Sequence, residues 1–211
     1  PSSAASDVYK RQVHERAVGL QAQEPRPERS EPDTVYDVAS LTKVVATTPV
    51  IMRLLEDGGL GLDLPVRRVI PAFAAGPAIT LAHLLTHTSG LPAGLPRDTP
   101  WRGAEAALDL ACTRTPTHPP GTFFRYSDVN FILLGEIAHR VAGQRLDTLA
   151  QAWFYGPLAM RDTGFAPLAR IPQRRIAPTQ WVTDEGAPYL LRGEVHDPTA
   201  RRMGGVGSCT C

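Results

Sequence analysis

The chain has 211 residues, 43% of them hydrophobic and 20% charged, with a formal net charge of +1. That is room for one domain or two small ones, with the composition of a globular protein able to bury roughly 70% of its unfolded surface. The near-neutral charge argues against nucleic-acid or acidic-membrane partners, and no apolar run reaches the ~18 residues a membrane span needs. Twenty prolines and eighteen glycines between apolar periodic segments imply many turns and long loops. The three cysteines, Cys112, Cys209 and Cys211, form neither a zinc spacing nor a disulfide framework.

Residues 1–12 include Asp7-Val-Tyr-Lys-Arg-Gln12, which resembles a translated library adapter, and are set aside from fold reasoning as a scar. Val13 to Leu20 reads as one short strand. A polar, proline-containing loop follows to Thr34. Leu41 to Asp57 is the clearest helix, with Leu41, Val44, Val45, Thr48, Ile51, Met52 and Leu55 at helical spacing. Gly58-Gly59 ends it. Pro49 lies inside and removes a backbone donor, so a kink or break is expected there.

Thr80 to Leu85 is a short helix capped by Thr80. His87-Thr88-Ser89-Gly90-Leu91 then reads as a structural turn, and a long loop runs to Arg102. Ala104 to Thr113 is helical. Pro119-Pro120-Gly121 is a tight turn before the extended piece 122–126. Val129 to Val141 is a second strong helix, which Asp128 is placed to cap, and Leu146 to Phe154 is a third. Beyond Gly156 the chain is loop-rich, and His196-Asp197 reads as a polar loop. One strand cannot satisfy its own backbone groups. Either strands are hidden after residue 165 or sheet partners are missing.

Chemistry concentrates in Ser40-Leu41-Thr42-Lys43. The chain has twenty arginines against two lysines, and the other lysine, Lys10, lies in the tail. Arginine cannot serve as a base, whereas a desolvated lysine can. Ser40 and Lys43 are i and i+3 at the start of a helix, on one face of its first turn. This is the core of a Ser/Lys acyl-transfer site. Desolvation favours a neutral lysine and a nearby cation favours a phenolate, so Lys43 and Tyr126, if close, would share a proton. The backbone N–H of Ser40, at a helix N-terminus, is placed to stabilise an oxyanion.

Three stretches in order, Y-D-V-A-S-L-T-K at 36–43, L-L-T-H-T-S-G-L at 84–91 and P-P-G-T-F-F-R-Y-S-D-V-N-F-I-L-L-G-E-I at 119–137, are followed by G-P-L-A-M-R-D-T-G-F at 156–165. Together they resemble the serine β-lactamase-like superfamily: class C β-lactamases, penicillin-binding proteins and D-Ala-D-Ala carboxypeptidases, D-aminopeptidases and β-lactamase-fold esterases. The resemblance implies an α/β (α+β) fold of the β-lactamase/transpeptidase type, a helical region with an antiparallel sheet that is incomplete in this chain. It implies Ser40 as nucleophile, Lys43 as the lysine that activates it and Tyr126 as the tyrosine of a Y-x-N element. Asp128 stands where that element has asparagine. An ionised aspartate only accepts hydrogen bonds, so Asp128 is expected to hold Lys43 protonated or to favour a cationic group on the substrate.

The expected function is a serine hydrolase forming an acyl-enzyme on Ser40 with an ester, β-lactam or D-amino-acid peptide. The partner is a small molecule or peptide, no cofactor or metal is implied, and the oligomeric state is not readable. Resembling proteins are often exported, which suggests an exported or periplasmic location. The alternative is a non-catalytic relative binding cell-wall peptide or a protein partner. The family's third element, K-T-G or H-x-G, does not occur in the sequence. Gly204-Gly205-Val206 runs into Ser208-Cys-Thr-Cys211 instead. The expected organisation is therefore a partial domain over 13–206 between a scar at 1–12 and a non-native tail at 207–211. Such a fragment is expected to be poorly soluble and nearly inactive.

Overall fold

The computed structural model describes residues 14–74, 76, 78–183 and 186–205. The expected scar and tail lie outside the described residues, as does Val13. The strand expected over Val13–Leu20 is displaced: 14–18 are irregular, and the first strand, β1, is Leu20–Ala22. It pairs antiparallel, with a bulge, to β2, Glu28–Arg29. Gly19, at φ +82, turns the chain out of the extended conformation just before Leu20. Val18 stays exposed.

Val35 makes an isolated parallel bridge to Ile176. Its N–H donates to Arg175 O at 2.6 Å and its carbonyl accepts from Ala177 N at 2.8 Å. Four residues later the chain coils. A 3₁₀ turn, Ala39–Leu41, leads into a widened π-type turn, Lys43–Thr47, and only then into a regular helix, α1, Thr48–Glu56. The single α-helix expected from Leu41 is thus broken upstream of Pro49. Pro49 falls in the first turn of α1, where its missing N–H is tolerated. It leaves the Val45 carbonyl without its i+4 donor, and the hydroxyl of Tyr155, a fully buried residue, donates to that carbonyl at 3.3 Å.

A four-residue helix, α2, Val66–Val69, escaped the periodicity reading because one turn carries no period. The next helix, α3, Leu81–Leu85, is capped by Thr80 as expected, and the Thr80 N–H donates to His83 Nδ1 at 3.1 Å. The fourth, α4, Ala104–Cys112, matches its periodicity. The long helix α5, Asp128–Ala142, ends at Gly143 in the left-handed conformation. Its cap is Ser127, whose Oγ accepts from Asn130 N, and Asp128 is the first helical residue rather than the cap. The third expected helix divides into α6, Leu146–Ala150, and a π-type turn, Gln151–Tyr155.

Strands do occur after residue 165. Trp181–Val182 (β3) pairs antiparallel with Tyr189–Leu190 (β4), so the described residues hold two separate two-stranded sheets. A last helix, α7, Pro198–Arg202, is capped by Asp197, which accepts from Ala200 N at 2.8 Å.

The core is built on α5, which is buried from Val129 through Gly135 and again at Ile137 and Ala138. A helix apolar on most faces must be enclosed, and α1, α3 and α4 all pack on it. Val50 and Ile51, Leu81 and Leu84, Ala107 and Ala111 join Leu133, Leu134 and Ile137 in one cluster. Each buried large aliphatic contributes about 1.5–3 kcal/mol relative to exposure. This packing makes α5 a rigid post whose N-terminus carries Tyr126, Ser127 and Asp128 to Lys43.

Candidate active site

Ser40 sits in the 3₁₀ turn, exposed to solvent. Ala39 before it has φ +45, a left-handed conformation that costs a non-glycine residue about 1–3 kcal/mol and persists only where the surroundings impose it. Here they do. The Asp37 carboxylate accepts from Ala39 N at 2.7 Å through Oδ1 and from His196 N at 2.8 Å through Oδ2. The Thr42 hydroxyl donates to Ala39 O at 2.7 Å. Asp37 therefore ties the serine-bearing turn to the 196 loop. The sequence reading missed this role, although an aspartate two residues before a turn is an available signal for an Asx turn.

Lys43 follows in the π-type turn with only 3% of its surface exposed. Its Nζ donates to Ser40 Oγ at 3.2 Å and lies 2.8 Å from Asp128 Oδ1. The ring centroids of Tyr126 and Phe131 are 5.0 and 5.6 Å from Nζ, within cation–π range. The structure thus brings all four sequence-derived candidates, Ser40, Lys43, Tyr126 and Asp128, around one buried cation. Asp128 keeps 34% of its side chain exposed and Tyr126 is 45% exposed, so the cluster opens to solvent on the Tyr126 side.

The 87–93 segment lies along residues 125–130. Ser127 Oγ donates to Pro92 O at 2.6 Å, Asp128 N to Ala93 O at 2.7 Å, and Ser89 Oγ to Asn130 Oδ1 at 2.7 Å. Gly90, at φ +78, packs so closely on His118 that an added Cβ would collide with the His118 carbonyl. H-T-S-G-L is the turn the sequence suggested, but its first residue also enters the site. The His87 ring lies 4.5 Å from the Tyr126 ring and 5.1 Å from that of Phe131. Burial first, and then the Lys43 ammonium, hold its imidazole below the ordinary value of 6.5, against an opposite pull from Asp128.

An apolar cavity of about 370 Å³ opens beside this cluster rather than within it, bounded by Asp37, Val38, Ile176, Glu194 and Arg201. Among the described residues no group of three or more His, Cys, Asp or Glu side chains could hold a metal ion, and no helix is long and apolar enough to cross a membrane.

A family model described as Beta-lactamase matches residues 1–207. The chain belongs to the β-lactamase family. An Escherichia coli K12 protein provisionally named a D-alanyl-D-alanine carboxypeptidase is 34% identical over 209 residues, covering 86% of this chain and 48% of the relative. Esterase EstB of Burkholderia gladioli is 35% identical over 204 residues, covering 85% of this chain and 49% of the esterase. Among solved structures, a β-lactamase/D-alanine carboxypeptidase from Yersinia pestis complexed with citrate superposes with a TM-score of 0.67 at 26% identity, covering 92% of this chain and 55% of that one. The chain spans about half the length of these relatives, and the β-lactamase/transpeptidase-like fold is the one the described residues adopt.

Proposed function

We propose that the whole protein is a serine hydrolase in which Ser40 is acylated by an ester, β-lactam or D-amino-acid peptide and water then releases the acid. The observation that carries this reading is the 3.2 Å contact between Lys43 Nζ and Ser40 Oγ at a lysine buried to 3% exposure. A serine hydroxyl is a weak nucleophile until a neighbour takes its proton. The buried amine lies within hydrogen-bond reach of that proton, which is the first geometric requirement for a general base. In the ion pair with Asp128 the amine is an ammonium and donates to Ser40. It becomes the base once it has passed its extra proton on, and Tyr126, whose ring lies 5.0 Å away, stands on the open side to relay it. Attack by Oγ on the carbonyl carbon forms the Ser40–acyl bond as the leaving group takes a proton from the Lys43–Tyr126 pair. Attack by water reverses the roles and frees Oγ. The relatives named as carboxypeptidase and esterase support acyl chemistry of this kind.

Intact-mass spectrometry after incubation with a penicillin and, separately, with a fluorophosphonate ester tests this. One covalent adduct, absent from Ser40→Ala and from Lys43→Ala, is expected, and the reagent that labels narrows the substrate class. An adduct that persists in Ser40→Ala overturns the assignment of the nucleophile. Binding of a cell-wall peptide with no adduct favours the non-catalytic reading.

A further inference from the structure

His87 makes contacts that a turn residue does not need. Its φ is +58, a left-handed backbone that few non-glycine residues adopt. In that conformation its carbonyl and its ring address the same short segment. His87 O accepts from Arg125 N at 2.9 Å, and His87 Nδ1 accepts from Ser127 N at 3.1 Å. The residues on either side of Tyr126 are thus both hydrogen-bonded to His87, and the Tyr126 ring lies 4.5 Å from the imidazole at a 36° tilt. The second face of the arrangement is fixed by α5, because the His87 ring also packs on Phe131 at 5.1 Å.

The donor identities settle the tautomer. A backbone N–H can only donate, so Nδ1 carries no proton and Nε2 does. Asn130 agrees: its Oδ1 accepts from Ser89 Oγ at 2.7 Å, which turns its Nδ2 towards His87 Nδ1 at 3.4 Å. The charged groups facing the ring are Lys43 from the π-type turn and Asp128 from α5.

We propose that His87 is the positioning residue of this site: a neutral imidazole whose Nδ1 and carbonyl clamp residues 125 and 127 and thereby hold the Tyr126 ring against Lys43. The proposal rests on the reading of Tyr126 as part of the Ser40 site. Without the clamp, Tyr126, 45% exposed on a segment outside any helix or strand, loses the hydrogen bonds that tie both its neighbours to His87 and is held from its C-terminal side by Ser127 Oγ on Pro92 O, Asp128 N on Ala93 O and α5. Protonation of Nδ1 would set a donor against the Ser127 N–H and break the clamp, so a neutral imidazole is required for it to work.

Two substitutions separate the clamp from the ring. His87→Asn tolerates the left-handed backbone and offers a carbonyl oxygen close to the position of Nδ1. His87→Phe keeps an aromatic face and removes the acceptor. Three readouts apply to the protein and these variants: the ¹⁵N spectrum of the His87 imidazole, the ¹⁹F shift of fluorotyrosine at position 126 (assigned by its loss in Tyr126→Phe), and the rate of Ser40 labelling by a fluorophosphonate. Expected are an unprotonated, hydrogen-bonded Nδ1 in the parent protein and a ¹⁹F shift that moves in His87→Phe and is largely restored in His87→Asn. Labelling is expected to slow by about tenfold or more in His87→Phe and to recover several-fold in His87→Asn, because an unsatisfied N–H beside the tyrosine costs on the order of one such factor. A proton on Nδ1, or a Tyr126 shift and labelling rate equal in both variants, overturns the proposal. Should His87→Phe not fold, the parent's imidazole spectrum and the His87→Asn shift still decide it. Should Ser40 never be labelled, the hydrolase reading fails on that result alone, and the two spectroscopic readouts still decide the clamp.

Discussion

Lys43 Nζ lies closer to Asp128 Oδ1, at 2.8 Å, than to Ser40 Oγ, at 3.2 Å. The carboxylate is the stronger partner of the two, since a charge-assisted hydrogen bond outweighs a neutral one. Asp128 stands where the element the sequence resembles has asparagine, and a carboxylate beside an amine favours its ammonium form more than an amide does.

Asp128→Asn is therefore expected to shift the pH dependence of Ser40 labelling towards lower pH, because the amine loses the charge that favours its extra proton. Rates measured from pH 5 to 9 for the parent and the variant check this. Superimposable profiles would show that Asp128 does not govern the charge of Lys43. A cationic substrate should lose more from the same substitution than a neutral one, if Asp128 also faces the bound substrate.

Tyr155 and Pro49 form a second pair. Proline cannot supply the i+4 donor to Val45 O, and the Tyr155 hydroxyl donates to that carbonyl at 3.3 Å. Tyr155→Phe keeps the ring and leaves this carbonyl short of a donor, with an expected loss of about 1 kcal/mol of stability. Because the π-type turn Lys43–Thr47 carries both Lys43 and Val45, labelling of Ser40 should fall as well. Urea denaturation and labelling rates, measured together, test both. An unchanged denaturation midpoint would mean that another donor serves Val45.

The imidazole of His87 predicts the direction of one pH effect on stability. In the folded chain it is held below the ordinary value of 6.5, chiefly by burial. Between that lowered value and 6.5 the unfolded chain binds more protons than the folded one, so stability rises with pH across the window. The contribution is complete above pH 6.5 and is lost as pH falls below it. Urea midpoints between pH 8 and pH 5 should therefore fall less steeply in His87→Asn than in the parent, after subtraction of the carboxylates common to both. Parallel profiles would remove His87 from this account.

Much of the architecture follows from local rules. The periodicities of Ala104–Cys112 and Asp128–Ala142, the glycines after α1 and α5, and the Thr80 cap are each set by residues within a few positions of one another. Ser40 and Lys43 share a face through helical spacing alone, and the turn that carries them keeps that proximity although it is 3₁₀ and π rather than α. Short strands were not legible in the same way. Two or three residues, as in β2, β3 and β4, cannot display an alternating pattern, and their existence depends on a partner elsewhere in the chain.

What the sequence by itself determined, then, is the helical scaffold, the family and the identity of the four candidate residues, because these are carried by residue type and by spacing over less than about two helical turns. The tertiary structure alone decided how they are held. The Asp37 brace reaches 159 residues along the chain to His196, the His87 clamp 40 residues to Ser127, and the Tyr155 hydroxyl 110 residues back to Val45. A hydrogen bond between distant residues exists only after packing has brought its two ends together, and no local propensity records it in advance.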